Sequence, residues 1–431
     1  MEKVAIIGTG LAGMSCGHFL HENYDLTLYE EQDHIGGYTC PLTVDDAGKR
    51  VFMDAGDLVF DRQNNPQLNA LFDAIKFPLK KAALSFSVQY LPENLEYRGL
   101  GLNHFFAQRS NLFKPSFLKL VKEVGRFNKS SAALLNQSEY QDYSIARYWK
   151  EFGYSEELLW KFLLPVSSGL LAVPLAQISD FPIFPILKHF HNLGFSGQDG
   201  RPQGYTPMQG SQSWQELLTH PFKDKILLNK KVGKVERLED GKVKILATDG
   251  TKGLYDRVIM ACPADQAYKI IKHKSKDEER LLSAFRYESG KMRIHTDAAV
   301  MPKTKAAWAS WNYRTAQKAD NNPSIATYWV NSGQQFSSKQ DYFVSFHSAS
   351  VVDEKKTIRE IETGQLICDV PAMQAQAELH LLNQTGPVYY CGGYFKDGFE
   401  GALESAAELC KKKLHHSSTA EIFSPEGGKI F

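Results

Sequence analysis

The chain opens on Val4-Ala5-Ile6-Ile7, followed at once by Gly8-Thr9-Gly10-Leu11-Ala12-Gly13, and no other stretch narrows its fold as much. An unbroken apolar, β-branched run suits a strand buried on both faces of a parallel sheet. Gly8 permits a tight turn, Gly10 lets a diphosphate approach the backbone, and Gly13 lets the next helix lie close on the strand. The pattern predicts that helix from Leu11 to His21, with Leu11 and Ala12 at its positive end beside the phosphates. A second strand, Leu26 to Tyr29, ends at Glu30, 20 residues after Gly10, where a carboxylate accepts hydrogen bonds from an adenosine ribose. Glu31 follows, and two carboxylates there would repel the extra phosphate of NADP. Strand, glycine turn, helix, strand and acid in this order predict a dinucleotide site on an α/β, Rossmann-like domain rather than a turn that merely ends a strand.

With 431 residues, the chain is long enough for two or three domains of about 150 residues each. Fifty Lys and Arg against 49 Asp and Glu leave a net charge of +1, so nothing global attracts nucleic acid. The six cysteines form no CxxC pair or cluster with histidine, which argues against a disulfide framework or a zinc site and predicts no bound metal. Met1-Glu2-Lys3 runs directly into a strand, so no export leader and a cytoplasmic location are expected. The uncharged run from Phe162 to Ser179 is broken by Pro165 and Pro174; it reads as buried lining of a pocket or tunnel rather than a membrane span.

After Glu30 come Gly36-Gly37-Tyr38 and then Asp54-Ala55-Gly56-Asp57, which follow a strand-like Arg50 to Met53. An extended FAD needs several backbone segments close to it, and glycine permits that approach. In this order the motifs resemble the FAD-binding half of the amine oxidase superfamily of flavoproteins, of the glutathione-reductase/amine-oxidase type. Further stretches, among them Met53 to Phe60, Leu84 to Val88, Ile294 to Asp297 and Trp308 to Tyr313, are similar to a bacterial group of NAD/FAD-binding proteins that accompany cyclopropane fatty acid synthases. The sequence departs from that group at His34, where Arg or Lys is usual, at Cys368-Asp369, and at Phe399 to Leu403.

The resemblance implies noncovalent FAD held additionally by Val235, by Ala261 and Cys262 at the end of a buried strand from Val258, and by a C-terminal motif. In that motif the strand Val388 to Cys391 leads through Gly392 and Gly393 to a helix carrying Glu400, Gly401, Ala402 and Leu403. It implies a discontinuous FAD domain of residues 1–75, 205–270 and 385–415. An α+β substrate domain would be formed by 76–204 and 271–384, with a tail at 416–431. Hairpin strands are predicted at Val232 to Val235 and Lys242 to Ala247, around Asp240-Gly241.

The flavin would take a hydride from a substrate C–H bond, with oxygen or another protein as electron acceptor. Lys291, which lies where some amine oxidases place a lysine near the flavin, is either that residue or an ordinary surface lysine. His295 and Asp297 share one face of a strand, as a proton-handling pair or a structural one. Trp308, Trp311, Tyr313, Tyr328 and Trp329 either wall the site or pack a core. In segment 105–126, aromatic and aliphatic residues alternate with Arg109, Lys114, Lys119, Lys122 and Arg126. That pattern suits a packed helix with solvated lysines or a peripheral contact with the inner membrane face. The expected substrates are an acyl chain of membrane phospholipid, oxidised by a dehydrogenase or desaturase, or an amine. A third expectation is a noncatalytic FAD-bound partner of a lipid methyltransferase.

Overall fold

The computed structural model describes all residues except 57, 100, 136, 138–139, 141–142, 172, 193–202, 316–323, 349–350, 397 and 415–431. Asp57 and the tail at 416–431 lie outside the described residues. Strand β1 (Lys3–Ile7), helix α1 (Leu11–Leu20) and strand β2 (Asp25–Tyr29) form in the expected order. His21 is the C-cap of α1 rather than its last residue.

β1 lies at the centre of a five-stranded parallel sheet. β2 and Ile226–Leu227 lie on one side of it, and Arg257–Met260 and Val388–Tyr390 on the other. Val4, Ala5 and Ile6 are fully buried, which accounts for their continuous apolar character. Helix α1 is buried almost all round, because it lies between this sheet and the C-terminal helix Gly398–Lys413. Small residues make that packing fit: a Cβ on Gly17 would stand 2.6 Å from the ring of Phe222.

A hairpin of β3 (Pro41–Asp46) and β4 (Lys49–Asp54) follows. The predicted hairpin at 232–247 forms as Val232–Arg237 and Val243–Ala247, and Lys252–Tyr255 adds a third strand to it.

Residues 86–98 and 286–367 together build a seven-stranded mixed sheet. Its spatial order is Thr357–Ile367, Arg286–His295, Phe343–Phe346, Ile325–Trp329, Trp311–Thr315, Phe86–Tyr90 and Leu95–Arg98. Trp311–Thr315 runs parallel to Phe86–Tyr90, and the other neighbours are antiparallel. Helices Pro115–Leu134, Leu164–Leu171 and Phe184–Asn192 contribute to the largest core cluster together with this sheet.

Two expectations change here. The run from Phe162 is not tunnel lining: Phe162 stacks on Phe190 at 4.9 Å and lies edge-on to Phe127 at 5.7 Å in a close-packed aromatic core. The aromatic concentration is also split between the two faces of the sheet. Trp311 packs with Tyr313, Tyr328 and Phe346, whereas Trp308 packs with Trp329 and Phe343. The two-residue period of a strand separates side chains that composition alone groups together.

Candidate cofactor and substrate site

The glycine turn and α1 build a cradle. Gly8, at φ +100°, donates from its N–H to the Tyr29 carbonyl at 2.8 Å, and a Cβ there would stand 3.0 Å from the Ala261 carbonyl oxygen. A Cβ on Gly13 would lie 1.9 Å from the Gly8 carbonyl oxygen, so only glycine lets α1 lie this close to the turn. Gly10 differs from both: its backbone is extended, and a Cβ there would meet nothing within 4 Å. The first intrahelical bond runs from Met14 N to Gly10 O, which leaves the N–H groups of Leu11, Ala12 and Gly13 without an intrahelical acceptor. No side chain caps this end and no acid lies in the first turn. An open space in front of an uncapped helix N-terminus suits a diphosphate.

The second glycine pair closes on the first. Gly36, at φ +114°, donates to the Thr9 carbonyl at 3.0 Å, and a Cβ on Gly37 would stand 3.0 Å from Gly10 Cα. Gly56 N–H donates to the Thr39 carbonyl, and a Cβ on Gly56 would meet the Tyr38 carbonyl oxygen at 2.0 Å. Ala55 and Gly56 thus hold the 36–40 turn against the cradle. Gln215 also supports this turn, its Nε2 donating to Thr39 Oγ1 at 2.6 Å. The phenol of Tyr38, half exposed, lies 3.4 Å from Thr363 Oγ1, on a strand of the mixed sheet.

Among the acids the structure redistributes roles. Glu30 stands where expected, but its carboxylate accepts from the Thr9 N–H and hydroxyl and from Gln32 N–H. The Thr9 hydroxyl has no local sequence signal tying it to Glu30. Each carboxylate oxygen carries a second lone pair, so capacity for a ribose remains. Glu31 is not a second free charge, because Lys231 pairs with it at 3.0 Å.

Asp54 is a helix cap. Its carboxylate accepts from the N–H of Ser211 at 2.9 Å and from the Ser211 hydroxyl, at the start of helix Ser211–Thr219. The side-chain amide of Gln334 clasps both the N–H and the carbonyl of Asp54. Burial pushes the Asp54 pKa up to about 6. Glu400 likewise accepts from the N–H groups of Gln67 and Leu68 in the first turn of α2 (Pro66–Ala74), and burial raises its pKa. Both carboxylates are therefore spent on helix N-termini.

The C-terminal motif folds as strand, turn and helix. Gly392 N–H donates to Ser405 Oγ at 3.0 Å, a Cβ on Gly393 would lie 3.4 Å from Gly398 O, and one on Gly401 would lie 2.4 Å from the Lys396 carbonyl. Ala402 and Leu403 are buried with α1 and α2 in one core cluster. Cys391 Sγ sits 3.7 Å from Cys16 Sγ, fully buried under α1, a position suited to packing and not to a flavin thioether. Val235 is fully buried in the three-stranded sheet, and Ala261 and Cys262 follow Arg257–Met260 at the back of the Gly8 turn. Burial moves the Cys262 thiol up to about 12.

One face of the mixed sheet meets the β4 segment through an apolar seam. Val51, Met53 and Ala55 cluster there with Met292, Ile294, Tyr328 and Val344. His295 belongs to the opposite face. Its Nε2 lies 2.8 Å from Ser345 Oγ, which contacts Thr327 Oγ1 at 2.7 Å. Burial lowers the His295 pKa to about 4, so its ring is neutral at neutral pH.

The expected carboxylate–imidazole pair is not formed. His295 Nδ1 accepts from the backbone N–H of Asp297, while the Asp297 carboxylate accepts from Lys356 Nζ at 2.9 Å and from the N–H groups of Ala299 and Asp353. The chain leaves its strand at His295, which turns the Asp297 side chain toward the following 3-10 turn. Lys291 is exposed and pairs with Glu360 at 2.7 Å.

A parallel sheet carrying an open glycine cradle at an uncapped helix end is the arrangement of a dinucleotide-binding fold. Residues 11–298 match the flavin-containing amine oxidoreductase family. The chain belongs to that family and is an FAD-dependent oxidoreductase.

Solved structures of similar fold include a putrescine oxidase bound to putrescine, with TM-score 0.68 and 11% identity, covering 96% of this chain and 99% of that one. A cyclohexylamine oxidase from Brevibacterium oxydans IH-35A has TM-score 0.67 and 13% identity, covering 95% and 99%. A fatty acid isomerase from P. acnes that produces CLA has TM-score 0.61 and 14% identity, covering 96% and 98%. No curated protein matches the sequence.

Proposed function

We propose that the protein oxidises an apolar substrate, an acyl chain, by removing two hydrogens from adjacent carbons. The observation that carries this reading is that every buried carboxylate among the described residues already accepts hydrogen bonds from, or pairs with, another part of the protein. Glu30, Asp54 and Asp297 are engaged as described above. Asp46 accepts from Lys339 N–H, Asp61 from Gln63 and Asn64 N–H, and Glu96 from Gln89, Lys303 N–H and Thr304 N–H. Glu278 pairs with Arg237 and Asp369 with Arg286. An ammonium group drawn into an apolar site needs an unpaired carboxylate to offset its desolvation.

The apolar seam between β4 and the mixed sheet is a buried, close-packed cluster, so the surroundings it offers are apolar rather than charged. When bound, FAD supplies the two-electron acceptor for the hydride. Leu11, Ala12 and Gly13 would offer their N–H groups to its diphosphate, Glu30 would accept from its ribose, and the 36–38 turn would bring backbone close to it. In the net reaction the substrate would lose a hydride to bound FAD and a proton that ends in bulk water, and a carbon–carbon double bond would form between the two carbons. Dioxygen or a partner protein takes up the electron pair to complete turnover.

Amine oxidation is the second reading. It is favoured by the family and by the stack of Trp311, Tyr313, Tyr328 and Phe346 on the seam side of the sheet. An anaerobic flavin-bleaching screen separates the readings. Bleaching by fatty acids or phospholipids is the expected result, and bleaching by putrescine or cyclohexylamine alone would overturn the acyl reading. A flavin that dithionite reduces but no substrate bleaches would support a noncatalytic FAD-bound partner of a methyltransferase.

A further inference from the structure

The turn between the short helix Arg109–Phe113 and the long helix Pro115–Leu134 leaves three large apolar side chains exposed to solvent. Phe113 is 86% exposed, Leu118 45% and Leu112 43%. Within segment 105–126 the apolar residues divide into two sets. Phe105 points into the large core, and so do Phe117, Leu120 and Val124 at helical spacing along the long helix. Leu118 lies on the opposite face of that helix with Lys119 and Lys122, beside Leu112 and Phe113 at its start.

Isolated exposed hydrophobics are ordinary, but three adjacent ones ringed by cations are a surface built for contact. Arg109, Lys114, Lys119 and Lys122 are exposed and make no ion pair among the described residues. No acidic residue occurs anywhere from 97 to 122.

We infer that this tip docks on an anionic phospholipid surface, with Phe113, Leu112 and Leu118 entering the headgroup–acyl boundary and the four cations meeting the lipid phosphates. The charge pattern selects this occupant: a second copy of the chain would bring the same acid-free cationic patch against itself. Phe113 projects outward rather than lining a groove, as insertion between lipids requires. Docking rests on this surface alone and is independent of the acyl-chain reading. Vesicle binding and flavin bleaching are therefore separate results.

The test is co-sedimentation of the FAD-loaded protein with vesicles of equimolar phosphatidylglycerol and phosphatidylcholine, and with phosphatidylcholine alone. The expected result is binding to the anionic vesicles that weakens as salt is added, with much weaker binding to the neutral ones. Phe113→Ser should lower the partition coefficient about tenfold or more through loss of apolar burial. The triple change Lys114→Gln, Lys119→Gln and Lys122→Gln should lower it by a similar factor and flatten the salt dependence. All four side chains are exposed, so each variant should keep the wild-type flavin spectrum and melting temperature, which shows that folding is intact. Protein that stays in the supernatant with anionic vesicles overturns the inference. So does a Phe113→Ser variant that pellets like wild type, or a dimer in sedimentation equilibrium that the same substitution dissociates.

Discussion

Replacing Gly10 by alanine separates a glycine kept for the cofactor from glycines kept for the fold. Gly10 has an ordinary φ of −64° and ψ of 179°, and an added Cβ finds nothing within 4 Å, so the protein without FAD has no steric objection to the methyl group. The cost to folding should be only that of a poorer N-cap, below about 1 kcal/mol, or a Tm shift of a few degrees. The methyl group does, however, fill the space in front of the Leu11 and Ala12 N–H groups. Charge-assisted hydrogen bonds contribute about 1.5–3 kcal/mol each, and loss of two amounts to about 3–6 kcal/mol, or roughly 10²- to 10⁴-fold weaker FAD binding. Gly13→Ala is the contrast: its methyl group would stand 1.9 Å from the Gly8 carbonyl oxygen, so it should lower the melting temperature of the apoprotein as well. The assay is fluorescence titration of apoprotein with FAD, paired with thermal melts of the same preparations. Gly10→Ala protein that binds FAD within about threefold of wild type would refute the close-approach argument. An apoprotein melt as damaged as that of Gly13→Ala would show that Gly10 serves the fold.

Three further outcomes follow from the placement of the acids and the histidine. The Asp54 pKa rises to about 6 in the folded state from an ordinary value near 4, so the native state holds the proton more tightly. The contribution of this carboxyl to stability should therefore be complete below about pH 4 and fall by up to about 3 kcal/mol as pH rises through 6. Asp54→Asn, which keeps the acceptor for Ser211, should remove that slope in urea titrations run across this range. Glu400→Ala should cost about 1–2 kcal/mol of stability by uncapping α2, while FAD affinity in the same titration stays near wild type. Since His295 is held neutral with a pKa near 4, its contribution is complete above its ordinary value of about 6.5 and is lost as pH falls toward 4. A pH profile of flavin reduction between about 5 and 8 should consequently be unchanged in His295→Gln, and a missing limb in that variant would assign the histidine to the reaction.

The β1–α1–β2 unit, the steric roles of Gly8 and Gly13, the position of Glu30 and the C-terminal strand–turn–helix were all legible in the sequence. Each rests on local sterics: a buried strand is continuously apolar, a tight turn requires glycine, and both needs are written within a few neighbouring residues. What the carboxylates and the histidine do was settled only by tertiary structure. Asp54 meets a helix that begins 157 residues later, and Glu400 one that begins more than 330 residues earlier. His295 finds its partner on Ser345 instead of Asp297. A polar side chain must satisfy its hydrogen bonds with whichever donor folding brings beside it, and no spacing along the chain records which element that will be.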